Sequence, residues 1–171
     1  MIKQYKKISF AALLLPFILY SCLNNEDGPA RTAADEQQEI NEVIGNLISK
    51  GYNVDTTKLG SYYVMSKTGS GEFPKAGDTL SVIYTGFFLD GVIFDASYLN
   101  PNNTDSIWKF VYKSQQLISG FDEALSLMKK GGAADFIIPS KNAYGDYGYM
   151  EIPAFAPLGF SIKMKDIKVK N

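Results

Sequence analysis

The sequence predicts an α+β domain, an antiparallel β-sheet with one amphipathic helix packed on it and an extra helix in front. Three observations predict it. Short apolar runs alternate with period two, most clearly Leu158, Phe160, Ile162 and Met164 against Gly159, Ser161, Lys163 and Lys165. A single stripe with helical spacing interrupts them, Phe121, Ala124, Leu125 and Met128. The chain has 171 residues, 46% of them hydrophobic, which suits one ordinary domain with small extras.

Taken in order, residues 1–21 read as a secretory signal. Lys3, Lys6 and Lys7 form a basic start, and Ile8 to Tyr20 is an apolar run broken by Pro16, too short for a comfortable membrane span. The run ends Leu19-Tyr20-Ser21-Cys22, which resembles a bacterial lipobox, so lipidation is expected at Cys22, the chain's one cysteine. Acylation there would anchor the chain to a membrane and leave no thiol for a disulfide. Residues 22–34 are polar with Gly and Pro and read as a tether. Leu23 is not the aspartate that resembles an inner-membrane retention signal, and Glu26-Asp27 resembles the export signals of some surface lipoproteins. The expected location is the cell envelope, on the outer membrane, with its leaflet open.

Residues 35–51 read as a helix. Ile40, Val43, Ile44, Leu47 and Ile48 share one face, Asp35 can cap the start and Gly51 can end it. That stripe suits either a homodimer contact or packing on the sheet. Tyr62 to Lys67 is the first expected strand. Leu80, Val82 and Tyr84 then alternate with Thr79, Ser81 and Ile83; Trp108, Phe110 and Tyr112 alternate, as do Ala134, Phe136 and Ile138. Such one-sided strands fit an antiparallel sheet covering a core. The helix carrying Phe121 has Asp122 and Glu123 in its first turn, and Lys129-Lys130 before Gly131-Gly132 is expected to close it.

Composition excludes much chemistry. The chain has no histidine, so it carries no Ser-His-Asp or Cys-His centre, no histidine-bearing zinc site and no imidazole switch. The 17 basic and 18 acidic residues become 14 and 18 once the leader's lysines are gone, giving no support to nucleic-acid binding. Gly69-Ser70-Gly71 lacks the following Gly-Lys-Ser/Thr of a phosphate loop and reads as a turn. Asp90-Gly91 reads as a hairpin turn, and 100–105 as a solvated loop rather than a cation site. Tyr144, between Asn142-Ala143 and Gly145-Asp146, lies in a stretch too glycine-rich for a core and is placed to offer its hydroxyl to a ligand.

Gly77-Asp78-Thr79-Leu80-Ser81-Val82-Ile83-Tyr84-Thr85-Gly86, then Asp90-Gly91 and Phe94-Asp95-Ala96-Ser97, resembles the signature of FKBP-type peptidyl-prolyl isomerases. Leu117-Ile118-Ser119-Gly120-Phe121, Ile138-Pro139 through Ala143-Tyr144-Gly145, Ile152-Pro153 and Leu158-Gly159-Phe160 continue it in order, so that residues 60–171 are similar to the whole family domain. The resemblance implies a sheet wrapped around one short helix and a cavity for proline-containing polypeptide segments, with no cofactor and no metal. In it, Tyr84, Phe94, Asp95, Phe121, Tyr144 and Phe160 would carry catalysis, and Trp108, Leu117, Ile118 and Ile152 would bind substrate. Phe121 would form the floor, the Ile118 N–H and the Tyr144 hydroxyl would bind substrate carbonyls, and Tyr84 would hydrogen-bond Asp95. The expected activity is isomerisation of X-Pro bonds in envelope or surface proteins; the alternative is a binding or chaperone module on the same fold. Three departures bear on that choice. Phe121 stands where the family usually has tryptophan, 98–107 holds no Arg or Lys to pair with Asp95, and Tyr149 lies near a position where histidine is usual.

Overall fold

The structure, a computed structural model, describes residues 30–170 except 104. The expected signal segment, Cys22 and the tether up to residue 29 lie outside the described residues. Seven strands form one antiparallel sheet, β1 (Asp55–Thr56), β2 (Tyr62–Lys67), β3 (Thr79–Phe88), β4 (Ile93–Ala96), β5 (Trp108–Val111), β6 (Ala133–Ile138) and β7 (Leu158–Lys168). The order is β1-β2-β6-β7-β3-β4, and β5 shares with β4 the edge of β3 that faces away from β7. Two helices complete the domain, α1 (Ala33–Ser49) and α2 (Ser119–Ser126).

Each long strand follows its alternation. In β7, Leu158, Phe160, Ile162 and Met164 are buried while Ser161, Lys163 and Lys165 face solvent. Leu80 and Val82 of β3 and Phe136 and Ile138 of β6 join them on one face, and α2 contributes Phe121, Ala124, Leu125 and Met128 to the same core. Removing one such large side chain from water is worth about 1.5–3 kcal/mol, which makes this shared face the main stabilising element. The Asp90-Gly91 turn is as expected: Gly91 has φ +94°, and Val92 N–H donates to Asp90 Oδ1 at 2.9 Å.

Helix ends differ from expectation. α1 begins before Asp35, with Thr32 as its cap: Asp35 N–H donates to Thr32 Oγ1 and the Asp35 carboxylate accepts back from Thr32 N–H at 2.8 Å. Asp35 is the third helical residue of a capping box, not the cap. At the other end Gly51, φ +84°, follows the last turn as expected. α2 stops at Ser126 with Leu127 as its cap, so Lys129 and Lys130 lie past its end. Sheet-like pairing claims that segment instead: Gly131 N–H donates to the Met164 carbonyl at 2.7 Å and Ser70 N–H to the Lys130 carbonyl at 2.9 Å. Lys130 pairs with Asp166, and Lys129 stands over the Phe73 ring.

α2 lies very close to the sheet. A Cβ added at Gly120 would meet Ile138 Cγ2 at 2.3 Å. Gly120→Ala is therefore expected to push α2 outward at about 1–3 kcal/mol, the usual penalty of overpacking. A thermal melt identical to that of the parent would contradict so close an approach.

Candidate active site

The concave face of the sheet and α2 enclose a shallow cavity of about 110 Å³. Its walls are Tyr84 from β3, Phe94 and Asp95 from β4, Trp108 from β5, Leu117, Ile118 and Phe121 at the start of α2, Tyr144 from the loop after β6, and Phe160 from β7. Nine of the ten residues named from sequence thus converge. Ile152 does not line the cavity. It is buried in the core cluster, and its N–H donates to the Tyr149 carbonyl at 2.9 Å.

The rings set the shape. Phe121, 4% exposed, lies under the cavity with its centroid 4.9 Å from Phe160 and 5.5 Å from Tyr84, both edge-to-face. Phe94 meets Phe160 edge-on at 5.7 Å, and Trp108 meets Tyr84 at 5.6 Å. Gly86 makes this wall possible, because a Cβ there would stand 2.7 Å from Phe94 Cζ and 2.9 Å from Phe160. Ser97 fixes the strand behind it: its N–H donates to the Tyr84 carbonyl at 3.0 Å, and its hydroxyl accepts the Tyr84 N–H at 3.2 Å.

The polar groups are few and specifically placed. Tyr84 donates to Asp95 Oδ2 at 2.8 Å, as expected. Desolvation first, and the Asp95 carboxylate second, hold the Tyr84 hydroxyl protonated well above the ordinary tyrosine range. Tyr144 is raised as well, by burial and then by Asp95 and Tyr149. Among the described residues neither the Ile118 N–H nor the Tyr144 hydroxyl has a hydrogen-bond partner, and both residues line the cavity. No Lys or Arg pairs with Asp95 there. Tyr149 stacks on Tyr144 at 5.3 Å with an interplanar angle of 11°, extending the aromatic surface at the mouth.

A roomier apolar hollow of about 410 Å³ lies between the C-terminal half of α1 and the sheet, with Val43, Leu47, Tyr63 and Phe136 in its lining. None of the ten site residues named from sequence lines it.

Residues 70–165 match the family of FKBP-type peptidyl-prolyl cis-trans isomerases. The chain belongs to this family. It is 34% identical over 151 residues to the FKBP-type peptidyl-prolyl cis-trans isomerase FkpA of Aeromonas hydrophila, covering 87% of this chain and 54% of that protein. It is 31% identical over 173 residues to the macrophage infectivity potentiator of Trypanosoma cruzi, covering 96% and 84%. The crystal structure of FkpA from Escherichia coli superposes with a TM-score of 0.66 at 34% identity over 80% of this chain and 61% of that one. A peptidyl-prolyl cis-trans isomerase from Pseudomonas syringae gives 0.65 at 29% identity, over 83% and 99%. The chain spans about half the length of the FkpA relative from Aeromonas.

Sequence reasoning passed over two FKBP-site features. Gly86 was visible inside the signature, but its task of making room for Phe94 needs the sheet register. Tyr149 was noted only as a departure, and its stacking on Tyr144 depends on a loop without periodicity. The desolvated position of Tyr84 is checked by spectrophotometric titration of the parent against Tyr84→Phe. The missing absorbance change should fall above the range of the surface tyrosines; ionisation together with them contradicts the buried hydroxyl.

Proposed function

We propose that the chain is a peptidyl-prolyl cis-trans isomerase acting on X-Pro bonds of envelope or surface proteins. The observation that supports the reading is that Ile118 and Tyr144, whose N–H and hydroxyl have no partner among the described residues, line an aromatic cavity together with Phe121. Rotation about an X-Pro bond breaks amide resonance against a barrier of about 18–20 kcal/mol. The planar amide is more dipolar than the twisted one, so a pocket that strips water from it disfavours the planar state more. The donors hold the carbonyls flanking the bond while the proline ring rests on Phe121, Phe160 and Trp108. Asp95 keeps Tyr84 oriented at the wall. No proton changes hands, so a chain without histidine suffices.

The alternative is a binding or chaperone module on the same fold with weak turnover. Phe121 in place of tryptophan and an Asp95 without a cation support it.

A protease-coupled assay on proline peptides decides between them. Acceleration of cis-to-trans conversion is expected. Tyr144→Phe should lower kcat/KM by about two- to tenfold, the worth of one hydrogen bond of about 0.5–1.5 kcal/mol, and Asp95→Ala should also weaken turnover. A folded sample that accelerates no peptide, whatever residue precedes proline, sinks the enzyme reading.

The pH profile follows from the two tyrosines. Because both hydroxyls are raised, they remain protonated donors as pH rises toward the ordinary tyrosine range. A flat kcat/KM is therefore expected from about pH 6 to pH 9. A bell-shaped profile inside that window would point to proton transfer and against this mechanism.

We further propose that Cys22 carries a lipid that holds the domain at the membrane, on the support of the basic and apolar run before it. Cys22→Ala should lose incorporation of labelled fatty acid and move from the membrane to the soluble fraction. Unchanged labelling and fractionation would remove the anchor.

A further inference from the structure

α1 is tied to the loop that carries Tyr144. Glu36, in the first turn of α1, is only 9% exposed, where a first-turn acid serving the helix dipole would stay in water. Its Oε2 accepts the Ser140 hydroxyl at 2.7 Å, and its Oε1 accepts the Ser140 N–H. Ser140 opens the short 3₁₀ turn after β6, and the N–H groups of Ala143 and Gly145, either side of Tyr144, both donate to its carbonyl at 2.8 Å. The turn presenting Tyr144 therefore hangs from the residue that Glu36 grips.

A second tie closes the far end. Arg31 Nε donates to the Phe155 carbonyl at 3.3 Å while its guanidinium pairs with Glu39, and the Phe155 N–H donates to the Gly145 carbonyl at 2.9 Å. Between the ties the backbone is unfavourable on its own. Gly145, Gly148, Met150 and Phe155 all have positive φ, and Met150 and Phe155 lack the freedom of glycine there. Such a segment keeps one conformation only when its surroundings impose it. A buried carboxylate that spends both oxygens on one serine is a costly way to dock a helix, for which an apolar side chain would serve.

We propose that Glu36, seconded by Arg31, is a positioning residue for the isomerase site: through Ser140 it sets where the Tyr144 hydroxyl stands at the cavity mouth. Its kinetic consequences rest on the isomerase reading; its geometry does not.

The experiment is a double-mutant cycle on the full chain, with kcat/KM measured for the parent, Glu36→Ala, Tyr144→Phe and the pair. Glu36→Gln and Ser140→Ala are run beside them. Glu42→Ala is the control, since Glu42 sits on the same helix and accepts only from Gln38. Glu36→Ala should lower kcat/KM by about tenfold at most, as befits a charge-assisted hydrogen bond acting indirectly. Glu36→Gln, which keeps an acceptor oxygen, should recover part of it. In the Tyr144→Phe background the Glu36 change should cost nothing further, because the group it positions is gone. Losses that multiply in the pair, or a Glu36→Ala protein as fast as Glu42→Ala, overturn the proposal. If Glu36→Ala does not fold, Ser140→Ala carries the same cycle. If the parent shows no turnover, the isomerase reading fails by itself, and amide hydrogen exchange across 143–149 decides the positioning role. Faster exchange in Glu36→Gln and Ser140→Ala than in Glu42→Ala supports it, and equal exchange overturns it.

Discussion

The contact of Phe121 with the concave face of the sheet is the constraint on which the rest depends. Its ring is at once the end of the hydrophobic core and the floor of the cavity, in edge contact with Phe160 and Tyr84. That double duty fixes the distance between α2 and the sheet, which Gly120 permits by presenting no side chain to Ile138. It also fixes the course of the chain just before α2, where Ile118 lines the cavity. Core stability and site geometry are thus one packing problem, and a change that loosens one loosens the other.

Much of this was legible in the sequence because the sheet is one-sided. Where a strand buries one face, alternation reports it, and β3, β5, β6 and β7 fall on the runs that alternate, while β2 does not alternate. β1 is two residues long and exposed, and β4 is four residues long with an exposed apolar residue at Ile93, so neither carries a clean period. The end of α2 was misplaced for a different reason. Lys129-Lys130 before two glycines has the right chemistry for a helix end, but strand-like pairing of Gly131 and Gly132 with Met164 outbids another turn. The cap was placed three residues too far inside, at Asp35 instead of Thr32, since both members of a capping box are cap-like residues and only geometry tells which of them is the cap.

The cavity itself was legible by resemblance rather than by pattern. Aromatic residues at Tyr84, Phe94, Trp108, Phe121 and Phe160 are each ordinary core residues when taken singly, and only their ordered motifs gather them. The residues that resemblance carried least well are those without periodicity. Ile152 lies in the loop between β6 and β7, buried, and is not among the residues that line the cavity. Glu36 gave no signal at all, because a first-turn glutamate ordinarily reads as a solvated dipole partner. Its partner Ser140 is more than a hundred residues away, and no local rule connects them.

That long-range tie bears on how a site built from donors can be selective. The Ile118 N–H is fixed by α2 and needs no further support. The Tyr144 hydroxyl stands on a loop whose backbone adopts positive φ at four places, and a donor displaced by a fraction of an ångström binds the planar and twisted amides alike. The fold answers this asymmetry with material from outside the sheet. The turn after β1 holds Asn142 through the Leu59 carbonyl at 2.9 Å, and Glu123 of α2 holds Leu59 in turn at 3.0 Å. The α1 contact at Ser140 adds a further tie to the same turn. On the positioning role proposed for Glu36, the extra helix supports the loop that carries Tyr144 as well as packing on the domain.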